Sequence, residues 1–256
     1  MSVLQQNPRI FTTGTDPLPT LLHKTIVKAR QDEPLQAMDI EVADRAAYGF
    51  AVAAAHGWYE ALTDKPVVIS KSRTWTDSYH LLPNGKYIAC IRDLRDIVDS
   101  FERIQKKAKA FHSYDGNGTI ISTMSNTEKY NYYINVPNSM SGAYTLELPR
   151  LVDHAKRGDR AVLFVRYEDL IMDPERQLRR VYEFLGEEWF DHDLENIYPP
   201  VLYEHDAAYF RERTSHKIDS SMVGRDLPER MIPKELQDMI FEKNQGYYQT
   251  FYPEIV

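Results

Sequence analysis

KYIACIRDLRDIVDSFERI (residues 86–104) predicts the fold more directly than any other stretch of the chain. Its apolar first part, Tyr87 to Ile91, is typical of a buried parallel strand. Apolar residues then recur at helical spacing, namely Leu94, Ile97, Val98, Phe101 and Ile104. Arg92 ends the strand, and Asp93 is placed to cap the next helix. A strand that leads directly into a helix is typical of α/β proteins with a parallel sheet.

The same stretch places two candidate ligand groups at one edge of the predicted sheet. The strand delivers the Arg92 guanidinium to the carboxyl edge, and Ser100 comes about two turns into the helix. Ligands of α/β sheets bind at that edge. A guanidinium and a hydroxyl suit a phosphate, because the fork of N–H donors matches phosphate oxygens. The alternative is an exposed helix start with a serine on the helix surface.

Strand and helix patterns alternate along the rest of the chain. The predicted strands cover residues 67–70, 86–91 and 161–165, and the predicted helices cover residues 18–29, 44–62, 94–110, 140–156, 174–185 and 233–248. Alternation of this kind predicts an α/β fold with a parallel central sheet that is covered on both faces.

Residues 112–139 differ from their surroundings, because they are rich in Gly, Asn, Ser, Thr and Tyr. This composition predicts a long irregular loop, and such loops commonly serve as lids or binding loops. Its tyrosines are placed either to line a pocket for a second substrate or to pack the loop itself; they are Tyr114, Tyr130, Tyr132 and Tyr133.

Composition excludes several classes of protein. The 256 residues, 43% apolar and 27% charged, suit one soluble domain, and a net charge of −7 argues against binding to nucleic acid. The single cysteine, Cys90, cannot form an internal disulfide and is predicted to be a small buried side chain in the strand. We see no secretion signal and no membrane-spanning stretch, so we expect a cytoplasmic protein without a membrane partner.

Four segments, taken in order, resemble the sulfotransferases that use 3′-phosphoadenosine 5′-phosphosulfate (PAPS) as donor. Arg92 to Ser100 resembles their 3′-phosphate-binding motif. AVLFVRYEDLIMDPERQLRRVYEFLG (161–186) resembles their strand, YEDL turn and helix, and EEWFDHDLENI (187–197) continues in the manner of the bacterial branch. KPVVISKSRTW (65–75) resembles the strand before the Arg/Ser motif. The ordered set is more specific than any one of its motifs.

The resemblance implies one sulfotransferase-like domain over residues 1–256, with the three-layer α/β/α fold of the P-loop nucleotide kinases. The implied reaction moves a sulfuryl group from PAPS to a hydroxyl or amine of a small-molecule, peptide or carbohydrate acceptor. Residues 112–139 would form the lid or acceptor loop. No metal is expected, since no Cys/His spacing fits zinc. The identity of the acceptor and the oligomeric state stay open.

The resemblance also assigns further donor-binding residues beside the arginine and the serine of the motif. Tyr167, the tyrosine of YEDL, would lie near the adenine; the alternative is a core aromatic beside the strand end. A loop at residues 212–232 would cover the donor and contribute Lys217 and Arg225. The alternative for these two residues is a solvated polar loop.

Two residues are candidates for the chemical step. Asp16, in Asp16-Pro17, resembles the Glu-Pro position that supplies the base in Golgi-type and protein-tyrosine sulfotransferases, and such transfer needs a proton acceptor. The alternative is a cap for the helix beginning at Leu18. Lys71 matches the lysine that assists the leaving phosphate in cytosolic relatives, or else is a solvated charge at a strand end. Arg73 stands where those relatives have a histidine base, and arginine cannot take that role.

One family element is missing from the sequence. Sulfotransferases begin with a strand and a loop such as PKSGTTW or PRSGST, whose amides cradle the 5′-phosphosulfate. TTGTDP (12–17) has no such arrangement, and residues 2–11 resemble the family's segment immediately after that loop and its helix. An upstream start, an inactive relative and a substitute segment are the explanations, in that order. The alternative function is a non-catalytic protein that binds PAP (the desulfated donor) or a partner. A nucleotide kinase would need a Walker loop and magnesium carboxylates, and we find neither.

Overall fold

The computed structural model describes residues 2–13, 16–29, 31–71, 85–107, 123–135, 142–197, 221–222 and 226–256. Two compact units make up the chain. The first unit is Met1–Gly85 with Trp189–Val223, and the second unit is Lys86–Glu188 with Gly224–Val256. The single domain expected over residues 1–256 stays a prediction.

The first unit holds a pair of parallel strands and three helices in its described part. In chain order these are β1 (Ile10–Thr12), α1 (Leu18–Ala29), α2 (Glu33–Gln36), α3 (Ile40–Leu62) and β2 (Val67–Ile69). β1 pairs with β2 in the register Ile10↔Val67, and the N–H of Thr13 extends the ladder by donating to the carbonyl of Ile69 (3.0 Å). Both strands therefore end at the same edge.

Helices α1 and α3 form the core of the first unit. Leu18, Leu22 and Ile26 recur every four residues along α1 and are buried against Ala51 and Ala55 of α3. Apolar residues at this spacing form one face of a helix, and the small alanines allow the two helices to pack closely. The sequence predicted the bounds of α1 correctly.

The second unit contains the strand–helix stretch with which the sequence analysis began. Its elements are β3 (Tyr87–Ile91), α4 (Leu94–Lys107), α5 (Asn126–Tyr130), α6 (Gly142–Lys156), β4 (Val162–Arg166), α7 (Tyr167–Met172), α8 (Pro174–Leu185), α9 (Lys234–Lys243) and α10 (Gln245–Phe251). β3 and β4 are parallel, in the register Tyr87↔Val162 to Ile91↔Arg166. The chain is thus an α/β protein with parallel strands, and its described strands form two separate pairs.

Helix α8 shows why its bounds could be predicted to the residue. The Asp173 carboxylate accepts a hydrogen bond from the N–H of Arg176, and Pro174 occupies the first position. Gly186 ends the helix in the left-handed conformation, with φ of 77°, which glycine adopts without the strain a Cβ would bring. Local chemistry fixes both ends.

The expectation that Cys90 is buried is wrong. Ala89 and Ile91 are buried, whereas Cys90 between them is exposed. Successive side chains of a strand point to opposite faces. The apolar run of β3 therefore buries only one face over these three residues, and an uninterrupted run of apolar residues does not reveal this.

The expectation of an irregular loop is wrong for most of residues 123–135. Helix α5 leads directly into a π-helical turn, Asn131–Asn135. The Ser125 hydroxyl accepts from the N–H of Glu128, whose carboxylate accepts in turn from the N–H of Ser125. This capping box is an S-x-x-E signature that the sequence contains. Tyr130 and Tyr133 are buried, whereas Tyr114 lies outside the described residues.

Within the described ranges, no helix is both long enough and apolar enough to cross a membrane.

Candidate functional site

In the second unit, Arg92 and Tyr167 come together where β3 and β4 end. The last residues of these strands, Ile91 and Arg166, are register partners, so the residues immediately after them are neighbours. The guanidinium carbon of Arg92 lies 4.4 Å from the centre of the Tyr167 ring. Stacking of this kind uses the flat face of the guanidinium and leaves its N–H groups directed outward in the plane.

Two strand-end arginines differ in their partners. Arg166 stacks on the ring of Tyr252 (4.3 Å) and forms an ion pair with Glu254 (2.6 Å). Arg92 forms no ion pair with any described residue, and its Nε is buried without a hydrogen-bond partner among them. A buried polar group without a partner is costly unless a ligand or water satisfies it. Arg92 is therefore the strand-end cation that suits an anionic ligand.

The peptide group between Arg92 and Asp93 is held by side chains from two other elements. Its carbonyl accepts a hydrogen bond from the Tyr247 hydroxyl (2.9 Å), and its N–H donates to Oε1 of Glu168 (3.0 Å). Oε2 of Glu168 accepts from the Tyr252 hydroxyl (2.9 Å). Both polar groups of the peptide that carries Arg92 are thus satisfied beyond the end of the strand ladder.

Asp93 is a buried carboxylate with several donors. Its Oδ1 caps α4 by accepting from the N–H of Arg95 (2.9 Å) and also accepts from the Tyr248 hydroxyl (2.9 Å), while its Oδ2 pairs with Arg230 (3.0 Å). Arg230 also pairs with Asp96. Burial by itself raises the pKa of Asp93, but the hydrogen bond from Arg95 and the charges of Arg230 and Arg95 outweigh it and hold the pKa below its ordinary 3.8.

This depressed pKa predicts a pH-dependent contribution to stability. The ionised form of Asp93 is favoured in the folded state, so its contribution is fully present above the unfolded pKa and is lost as pH falls through the lower folded pKa. We expect Asp93→Asn to destabilise the protein by a constant amount from about pH 7 to about pH 5, and by less below about pH 4. Urea unfolding at a series of pH values measures this. Asp153→Asn, at an exposed ion pair, is the control. A difference that stays constant down to about pH 3 would contradict the assignment.

The structure describes only part of the remaining predicted donor site. Ser100 is half-buried on α4 of the same unit as Arg92 and Tyr167. Lys217 and Arg225 lie outside the described residues, so their predicted role stays a prediction.

In the first unit, Asp16 and Lys71 come together where β1 and β2 end. The N–H of Asp16 donates to the carbonyl of Lys71 (3.2 Å). Oδ1 of Asp16 accepts from the N–H of Leu18 (2.9 Å), which caps α1, and Oδ2 accepts from the hydroxyls of Tyr59 (2.7 Å) and Ser70 (2.5 Å). Asp16 is only 6% exposed. The carboxylate therefore uses three of its about four acceptor positions within the unit.

Lys71 has a fixed backbone and an exposed side chain. Its N–H donates to the Thr13 hydroxyl (3.2 Å), and its carbonyl accepts from Asp16. The side chain is exposed, as both a leaving-group lysine and a solvated strand-end charge would require. Arg73, two residues later, lies outside the described residues.

The predicted site residues thus form two clusters, one in each unit. Each cluster lies at the carboxyl ends of a parallel strand pair, where α/β proteins bind ligands. Over the described part of the chain, no three His, Cys, Asp or Glu side chains are grouped so that they could hold a metal ion.

Sequence reasoning missed the residues that surround Arg92 from the C-terminal segment. The most important are Tyr247, Tyr248, Tyr252 and Arg230. The sequence predicted a helix there that ends in aromatics. A buried tyrosine usually needs a hydrogen-bond partner for its hydroxyl, which is the available signal. That signal cannot name a partner more than 80 residues away.

Parallel strand pairs with polar clusters at their carboxyl ends define an α/β ligand-binding protein. The sulfotransferase domain family model matches residues 23–205, well over half of the chain, and the chain belongs to this family. The match includes Lys71, Arg92, Ser100 and Tyr167, whereas Asp16 precedes it and the two predicted loop cations come after it. A search of the curated proteins finds no match.

Proposed function

We propose that this protein is a sulfotransferase that moves a sulfuryl group from PAPS to a hydroxyl or amine of an acceptor. Membership of the sulfotransferase domain family supports the reaction class. The observation that carries the choice of donor is Arg92, because it ends a parallel strand, stacks on Tyr167 and has neither an ion pair nor an Nε partner among the described residues. A phosphate would supply both the charge and the acceptors.

In this proposal Arg92 and Ser100 bind the 3′-phosphate, and Tyr167 contributes an aromatic ring near the adenine. Lys217 and Arg225 cover the donor from the loop at residues 212–232. The three-layer α/β/α arrangement of the P-loop nucleotide kinases is part of the proposal. The acceptor is a small molecule, a peptide or a carbohydrate.

The chemical step is an in-line displacement at sulfur. The acceptor oxygen or nitrogen forms a bond to sulfur while the bond from sulfur to the bridging oxygen breaks. The bonding electron pair leaves with the 5′-phosphate of PAP, and the acceptor proton passes to Asp16. Lys71 stabilises the negative charge that develops on the bridging oxygen. This is catalysis by positioning and electrostatics, and it requires no metal.

One observation favours a second candidate, a non-catalytic protein that binds PAP or a partner. The carboxylate of Asp16 already accepts hydrogen bonds from Leu18, Tyr59 and Ser70, and it caps α1. A residue with this structural role has a reason to be aspartate that is independent of catalysis.

The thermal unfolding midpoint with and without PAP tests the donor site that both candidates share. A site loaded to about 100 times its dissociation constant adds about 2.7 kcal/mol. For a chain of this size each kcal/mol raises the midpoint by roughly 2–4 °C. We expect a rise of several degrees for the wild type, none for Arg92→Ala, and a smaller rise for Arg92→Lys, which keeps the charge and loses the planar fork.

Each variant is compared with its own midpoint without PAP, so a change in basal stability does not affect the result. Arg179→Ala, at an exposed ion pair with Glu175 on α8, is the matched control and should respond like the wild type. An equal rise in Arg92→Ala would remove Arg92 from the site. A cooperative wild-type transition that ignores PAP would overturn the donor assignment.

A further inference from the structure

The peptide group that carries Arg92 lies beyond the last hydrogen-bonded residue pair of β3 and β4, Ile91↔Arg166. A backbone group past the end of a ladder has lost its strand partner and must find another. Here the carbonyl is held by Tyr247 and the N–H by Glu168. Rotation of this peptide about its flanking torsions would break both hydrogen bonds. The direction in which the Arg92 side chain leaves the backbone is therefore set by these two residues.

Tyr252 extends this control by one step. Its hydroxyl donates to the second oxygen of Glu168 (2.9 Å), and its ring stacks on Arg166 (4.3 Å). Glu168 is thus held from one side by Tyr252 while it accepts from the N–H of Asp93 on the other.

The hydroxyls of Tyr247 and Tyr252 are dependable donors. Both side chains are buried, and burial raises the pKa of each above its ordinary 10.0. Neither hydroxyl ionises near neutral pH, so both hydrogen bonds persist there.

We propose that Tyr247 and Tyr252 are positioning residues that aim Arg92 at the 3′-phosphate of the donor. The inference rests on the proposed function, because it takes PAP as the anion that Arg92 binds. A bidentate contact between guanidinium and phosphate requires the group to be held within about 0.5 Å of its productive position. Loss of either hydroxyl frees the Arg92 peptide or its Glu168 partner, and the contact weakens without loss of charge.

The test is a double-mutant cycle on the dissociation constant of PAP, measured by calorimetry. The proteins are the wild type, Tyr247→Phe, Arg92→Lys and the double variant. We expect Tyr247→Phe to weaken PAP binding about 3–10-fold in the wild-type background, the value of one hydrogen bond. In the Arg92→Lys background, where no planar fork has to be aimed, the same change should have little effect. Tyr252→Phe should behave alike, one step further from the arginine.

Tyr130→Phe is the matched control, since Tyr130 is also buried in the second unit and its hydroxyl accepts from Asn244 (3.3 Å). It should leave PAP affinity unchanged. A purely structural role for Tyr247 would change the unfolding midpoint and weaken PAP binding by the same factor in both backgrounds, which would overturn the inference. Unaltered affinity in both phenylalanine variants would overturn it as well. A wild type that does not bind PAP would overturn the proposed function and this inference together.

Discussion

Asp93→Ala should lower the free energy of unfolding by about 3 kcal/mol, the lower end of the range for breaking a buried ion pair. The substitution removes the cap of α4 and leaves the cations of Arg95 and Arg230 and the Tyr248 hydroxyl without their acceptor. The lower end applies because the side chains of Arg95 and Arg230 are 19% and 28% exposed and can be hydrated in the variant.

Urea unfolding at neutral pH measures this loss. Asp93→Asn keeps a capping oxygen and the shape of the side chain, so it should lose clearly less than the alanine variant. Asp153→Ala, at an ion pair whose side chains are 67% and 63% exposed, should cost less than about 1 kcal/mol. A loss under about 1 kcal/mol for Asp93→Ala would show that the carboxylate does not hold the turn together.

Asp16→Ala should lower the free energy of unfolding by about 2–4 kcal/mol, whereas Asp16→Asn should stay within about 1 kcal/mol of the wild type. Alanine removes the cap of α1 and the acceptor of the Tyr59 and Ser70 hydroxyls. Asparagine caps a helix as well as aspartate does, and either hydroxyl can rotate to accept from its amide. Urea unfolding of both variants tests this pair.

Asp16→Asn then separates the two candidate functions. The amide cannot accept a proton, so sulfuryl transfer should fall by about 100-fold or more if Asp16 is the base. The measurement is PAP released from PAPS in the presence of mixed hydroxyl and amine acceptors, with Asp64→Asn in the same unit as the control. Transfer within about threefold of the wild type would leave Asp16 with its capping role alone.

Where local chemistry determines structure, the sequence was sufficient. Pro174 and Gly186 fixed the bounds of α8, and the interval from Arg92 into α4 predicted a strand, a cap and a helix, all of which are present. Strand β1 was missed because three residues, Ile10–Thr12, are too few to show a period.

The surroundings of the candidate site could not be predicted for a different reason. Tyr247 reaches the carbonyl of Arg92 across 155 positions of the chain, and no spacing rule links residues so far apart. The capping box of Ser125 and Glu128, by contrast, was present in the sequence and would have predicted α5. Long-range hydrogen bonds depend on tertiary packing, which local patterns do not report.

The separation between Arg92 and Tyr247 also has a consequence for biosynthesis. A ribosome adds about 5–20 residues per second, so the strand-end turn is made roughly 10–30 s before the tyrosine that holds its carbonyl. During that interval the nascent chain has β3 and α4 but not the hydroxyls that fix the peptide between them. The second unit therefore completes its folding late in translation, and until then this turn depends on water for its hydrogen bonds.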